Sequence, residues 1–114
     1  MTFVDTTDAS FPDVVLMSDV PVIAHFTAPG CRPCKAIEPH LVEIGEENAG
    51  RVKLARIDID ANLDTPGRYG VMSIPTVILF AGGEPRATLV GAQSRRRYDA
   101  AFASYLSCGD RAHG

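Results

Sequence analysis

An apolar, β-branched run that stops at Pro-Gly and leads directly into a closely spaced cysteine pair limits this chain more than any other feature. Val22 to Phe26 is apolar apart from His25, Pro29 and Gly30 break it, and Cys31-Arg32-Pro33-Cys34 follows. The run predicts a strand. Pro33 suits a first helical turn, where its missing N–H costs nothing, and beyond it Ile37, Leu41 and Ile44 share one helical face with Lys35, Glu43, Glu46 and Glu47 elsewhere. Cys31 is therefore expected at the positive end of a helix. That position favours thiolate over thiol, and the thiolate is the species that attacks disulfides or binds soft metals. Pro39 removes one hydrogen bond inside the helix at a cost of about 3 kcal/mol, which predicts a kink.

The remaining elements follow from periodicity and punctuation. Phe11, Val14, Val15 and Met17 predict a first helix over residues 8–17, with Asp8 or Ser10 as its cap. Gly50 closes the long helix, and Val52 to Ile59 reads as a second core strand, parallel to the first if the helix is a crossover. In such a unit, ligand sites favour the carboxyl ends of strands, where Cys31 falls. A short helix over 62–69 ends at Gly70, a strand runs from Thr76 to Phe80, and Gly82-Gly83 turns it into an antiparallel strand, Arg86 to Val90. The class is α/β with a mixed sheet. From Ser94, a candidate cap, a final helix places Tyr98, Ala101, Phe102, Tyr105 and Leu106 on a core-facing stripe.

The whole chain, 1–114, is the length of one domain, with 107–114 expected as a frayed tail. A net charge of −3 argues against nucleic acid as a ligand, and no apolar stretch is long enough to cross a membrane. The N-terminus lacks a basic segment followed by a long apolar one, so a cytoplasmic location is expected. There, a CxxC pair is catalytic or metal-binding more often than structural. Half a zinc site is the competing reading, but only Cys108 and His113 in the tail could complete it, so no metal is expected. Cys108 by itself reads as a bystander, and Arg95 to Arg97 as a solvated helix face, with an acidic docking partner as the alternative.

Four separated segments carry a more specific signal: Cys-Arg-Pro-Cys-Lys at 31–35 with Pro39, Val-Lys-Leu-Ala-Arg-Ile-Asp-Ile-Asp at 52–60, Tyr-Gly-Val-Met-Ser-Ile-Pro-Thr at 69–76, and Val-Gly-Ala at 90–92. Together they resemble the thioredoxin family from about Phe11 to Leu106. The resemblance implies a thioredoxin fold, a central mixed sheet flanked by helices on both faces, with a cis peptide before Pro75 beside the dithiol. It also implies a thiol–disulfide oxidoreductase that reduces protein disulfides, with Cys31 as nucleophile and Cys34 as resolving thiol. Arg32, Pro33, Ile74, Pro75 and Gly91 would meet the substrate, the backbone at Ile74 pairing with an extended chain. Gly91 is read as letting backbone approach the dithiol, or else as an ordinary β-bulge. The dithiol would be its own redox cofactor in a monomer, re-reduced by a flavin-dependent thioredoxin reductase that draws on NADPH.

Three positions depart from the family pattern. Gly30 stands in place of tryptophan, and Arg32 in place of a glycine, where a fixed positive charge favours the Cys31 thiolate and a more oxidising couple. His25 stands in place of a buried aspartate, with Arg56 in place of its companion lysine, so the resemblance predicts two potentially cationic groups and no carboxylate. Burial and Arg56 would both favour neutral His25, leaving two readings: a general base for Cys34, or a hydrogen-bonded core histidine. These departures also keep open a specialised exchanger dedicated to one partner, and a non-catalytic binding module on the same fold.

Overall fold

The computed structural model describes residues 2–106, so the expectations for the tail, including Cys108 and His113, lie outside the described residues. Five strands form one sheet in the order β1-β3-β2-β4-β5: β1 Val4–Thr6, β2 Val22–Thr27, β3 Lys53–Asp58, β4 Thr76–Ala81 and β5 Glu84–Val90. β1 and β2 both run parallel to β3, whereas β4 is antiparallel to β2 and to β5, so the sheet is mixed as expected. The helices are α1 Arg32–Glu47, α2 Asp64–Arg68 and α3 Arg95–Leu106. α1 continues through Pro39, and the Ser94 hydroxyl accepts from Arg97 N–H at 3.2 Å, which caps α3 as the sequence suggests.

β2 is central, which explains its nearly uninterrupted apolar run: both of its faces are covered. On one face Ile23, Leu54, Val77 and Leu89 pack with Ile37, Leu41 and Ile44 of α1 and Tyr98, Phe102 and Leu106 of α3. On the other, Phe26 and Phe80 pack with Phe11 and Tyr69, ring centroids lying 5.0 to 6.5 Å apart. Helical segments thus cover both faces. Gly82 and Gly83, at φ +64° and +81°, make the hairpin turn, and a Cβ on Gly83 would come within 3.0 Å of the Leu16 carbonyl.

The N-terminal part differs from expectation. Residues 8–17 do not form an ordinary amphipathic helix; Pro12–Leu16 is one wide turn in which Met17 N–H donates five residues back to Pro12 O at 2.9 Å. Neither Asp8 nor Ser10 caps it. Asp8 instead accepts from Asp64 N–H and Thr65 N–H at 3.2 and 2.8 Å, so it serves the start of α2, more than fifty residues away in sequence. The hydrogen bond with Thr65 is the main cause holding the Asp8 carboxyl below its ordinary range.

Candidate active site

β2 ends at Thr27, and the chain turns over Ala28-Pro29-Gly30-Cys31, where Cys31 N–H donates to Ala28 O at 3.3 Å. Pro29 at the second position and Gly30 at the third, with φ +80°, make the pattern of a type II turn. Cys31 is then the N-cap of α1: its backbone is extended, its carbonyl accepts from Lys35 N–H at 3.2 Å, and its Sγ accepts from Cys34 N–H at 3.2 Å. A sulfur in this position replaces the usual capping oxygen and receives both an N–H and the positive end of the helix dipole, which favours its anion once reduced. Cys31 and Cys34 are joined as a disulfide with Cα atoms 5.3 Å apart. Cys31 is partly exposed and Cys34 is 1% exposed, so only the first thiol of the pair is open to a large partner. Among the described residues, no three His, Cys, Asp or Glu side chains are grouped to hold a metal ion.

The Ile74–Pro75 peptide is cis, as the resemblance implied. Pro75 is buried, Ile74 is partly exposed, and the Pro75 carbonyl accepts from Gly91 N–H at 2.8 Å, which ties the loop before β4 to the end of β5. The reason for Gly91 differs from the expected close approach. A Cβ there would meet nothing within 4 Å, and the register irregularity of β4 and β5 lies at Leu79/Phe80; it is the φ of +82° that favours glycine. Arg32 and Pro33 are exposed at the start of α1. Met72 is 94% exposed two residues before Ile74.

Beneath α1 the sheet carries a polar row. Asp5, Arg56 and His25 are register neighbours on β1, β3 and β2, and the row continues into the apolar Val77 of β4 and Leu89 of β5. Arg56 Nε donates to Asp5 Oδ1 at 2.9 Å, and its Nη1 reaches both oxygens of Glu38 at 3.3 and 3.2 Å. Glu38 Oε2 lies 3.1 Å from His25 Nδ1, a contact whose angle falls short of a directed hydrogen bond, and His25 Nε2 has no protein partner. Burial is the largest influence on His25 and lowers its pKa from 6.5 to about 4, against the opposing attraction of Glu38. Glu38 and Arg56 also line a surface cavity of about 440 Å³ with Asp5, Lys35 and Asp58.

The thioredoxin family model matches residues 2–104. Thioredoxin of Pseudomonas aeruginosa is 47% identical over 92 residues, covering 81% of this chain and 85% of its own length. Thioredoxin of Haemophilus influenzae is 48% identical over 85 residues, 75% of this chain and 79% of its own. The chain belongs to the thioredoxin family. Thioredoxin of Allochromatium vinosum, 47% identical over 97 residues, covers 85% of this chain and 91% of its own. Thioredoxin chemistry is thiol–disulfide exchange, and this chain is a thiol–disulfide oxidoreductase that reduces protein disulfides.

Against that family background, the expected absence of a carboxylate needs correction. The acid comes from the helix instead of the strand: Glu38 falls one turn after Cys34 on the face that also carries Ile37 and Leu41, and it reaches His25 and Arg56 from above. A lone acid among apolar positions spaced by three and four was the available signal. Of the residues read as site members, Cys31, Arg32, Pro33 and Cys34 come together at the start of α1, and Pro75 with Gly91 at the strand ends. His25 lies on the sheet face beneath that helix.

Proposed function

We propose that Cys31 is the attacking thiol of this thioredoxin, Cys34 its resolving thiol, and His25 the base that takes the Cys34 proton. The observation that carries the first two roles is the asymmetry of the pair. Cys31 is partly exposed and its Sγ accepts the Cys34 N–H at the helix start, whereas Cys34 is 1% exposed. The Cys31 thiolate attacks one sulfur of a protein disulfide and forms a mixed disulfide; Cys34 then attacks Cys31, and the substrate leaves as a dithiol. Arg32, Pro33, Ile74, Pro75 and Gly91 form the docking rim, with main-chain groups near Ile74 pairing to an extended substrate strand. The protein works as a cytoplasmic monomer, without a prosthetic group, and a flavin-dependent thioredoxin reductase re-reduces it with electrons from NADPH. In support, no helix among the described residues is long and apolar enough to cross a membrane, and the relatives of similar length are bacterial thioredoxins.

Insulin-disulfide reduction coupled to a thioredoxin reductase and NADPH tests the assignment. Wild type should turn over, Cys31→Ser should be inactive, and Cys34→Ser should accumulate a mixed disulfide through Cys31. Turnover with dithiothreitol but not with the reductase would remove the proposed electron donor and leave the cysteine roles intact. Full partner function with both cysteines replaced by serine would instead identify a binding module.

A further inference from the structure

The His25 ring presents its two nitrogens to different surroundings. Neither nitrogen makes a directed hydrogen bond, but Nδ1 lies 3.1 Å from an oxygen of Glu38, whereas no charged group is paired with Nε2. A carboxylate oxygen repels the bare lone pair of a nitrogen at that distance and attracts an N–H, so the neutral ring keeps its proton on Nδ1. Nε2 is then a buried acceptor. Arg56, the register neighbour of His25, reaches both oxygens of the same carboxylate, and Asp5 in turn holds Arg56, so Glu38 is anchored by a second group beside the histidine. Phe3 closes the edge, its ring centroid 5.9 Å from that of His25 and 5.2 Å from the Arg56 guanidinium carbon. Cys34 and Glu38 stand one turn apart on α1, on the face turned to the sheet.

We propose that Glu38 is a positioning residue for the resolving half of the exchange: it holds the His25 proton on Nδ1, leaves Nε2 free for the Cys34 proton, and connects the ring to the polar cavity. This rests on the reading of His25 as the base. In the step, Cys34 Sγ–H gives its proton to Nε2 and the sulfur attacks Cys31 Sγ. The bond from Cys31 to the substrate sulfur breaks, and that sulfur leaves with the electron pair as a thiolate, to be protonated by solvent. Two electrons have then passed from the protein dithiol to the substrate disulfide. The imidazolium passes its Nδ1 proton through Glu38 to solvent in the cavity that Glu38 lines, and exchange of the remaining Nε2 proton for one on Nδ1, which the Glu38 anion favours, restores the resting Nδ1–H form. The charged groups around the ring are Glu38 on α1, Arg56 on β3 and, through Arg56, Asp5 on β1; its β4 neighbour is the apolar Val77, and Cys34 lies one turn before Glu38 on α1. Lys35 and Asp58 face the same cavity.

Two measurements test this. Long-range proton–nitrogen NMR near neutral pH reads the tautomer: wild type should carry the proton on Nδ1, and Glu38→Gln, which can donate as well as accept, should show a mixture. A wild-type ring protonated at Nε2 overturns the proposal and needs no variant to fold; so does Glu38→Gln with Nδ1–H intact. Acid-quenched reaction with glutathione disulfide reads the chemistry. Decay of the Cys31–glutathione mixed disulfide should slow roughly ten- to a hundredfold in Glu38→Gln, with formation unchanged and Glu38→Asp recovering part of the rate. If His25→Gln slows the decay and Glu38→Gln does not, Glu38 has no part and the base reading survives. If neither slows it, the base reading itself fails.

Discussion

His25 Nδ1 and Glu38 Oε2 lie 3.1 Å apart, and they belong to different layers, the central strand β2 and the helix α1 that covers it. The contact brings a polar pair into the interface between sheet and helix, beside the apolar cluster that holds the layers together. A buried imidazole next to a carboxylate is pulled two ways, and here burial outweighs the attraction and leaves the ring neutral near pH 7.

Stability should therefore fall as acid is added, over a specific window. In the unfolded chain His25 binds a proton near its ordinary 6.5, but in the folded protein only near about 4. Between those values the unfolded state holds the extra proton, so unfolding becomes easier as pH drops through the interval and the loss levels off below it. Urea unfolding at several pH values should show this slope in wild type and a shallower one in a folded His25→Gln.

Gly30→Ala should cost about 1–2 kcal/mol, the usual penalty for a Cβ in the left-handed region. The φ of +80° sets that cost, because a Cβ would meet nothing within 4 Å. Chemical denaturation measures it. An unchanged midpoint would mean that the turn over Ala28 to Cys31 readily adopts another form.

Arg32→Gly should make the disulfide harder to reduce. Removing a positive charge next to Cys31 weakens its thiolate and with it the reduced form. Because Arg32 is exposed, solvent screens the effect, and a shift below about 30 mV is expected, read by equilibration with glutathione. A shift to a more oxidising potential would contradict the charge argument.

Arg95 bridges two helices: it reaches Glu43 and Glu47 on α1 at 2.8 and 2.6 Å and Asp99 on its own helix at 3.0 Å. These carboxylates raise its pKa further, yet all three are more than half exposed. Arg95→Met should thus lose no more than about 1 kcal/mol, and the difference should shrink in high salt. Comparing denaturation midpoints at two salt concentrations checks both statements.

Much of this molecule is legible from short-range pattern. The run Val22 to Phe26, the face of Ile37, Leu41 and Ile44, the Gly82-Gly83 turn and the Ser94 cap depend on residues within a few positions of one another, and the structure has each. Most of the surprises depend on distant contacts. β1 is three residues, Val-Asp-Thr, too short to show a period and visible only through its pairing with Ala55, Arg56 and Ile57. Asp8 looks like the cap of its own neighbourhood and serves α2 instead. Glu38 takes on its role only through His25 and Arg56 on the strands beneath it. Arg95 looked like a solvated charge, although its partners on α1 lie about fifty positions earlier.

The polar row across the sheet begins on the element with the least to hold it. Asp5 sits in a three-residue edge strand, Val4 beside it is 44% exposed, and Asp5 is the group that fixes Arg56 from outside. Edge strands of this kind open locally at a small fraction of the cost of global unfolding. Detachment of β1 would take from Arg56 one of its two carboxylate partners and from the apolar cluster the contact of the adjoining Phe3. Trimming the residues before Asp5 would thus disturb the charges around His25, and with them the proposed proton transfer, without changing any atom of the cysteines.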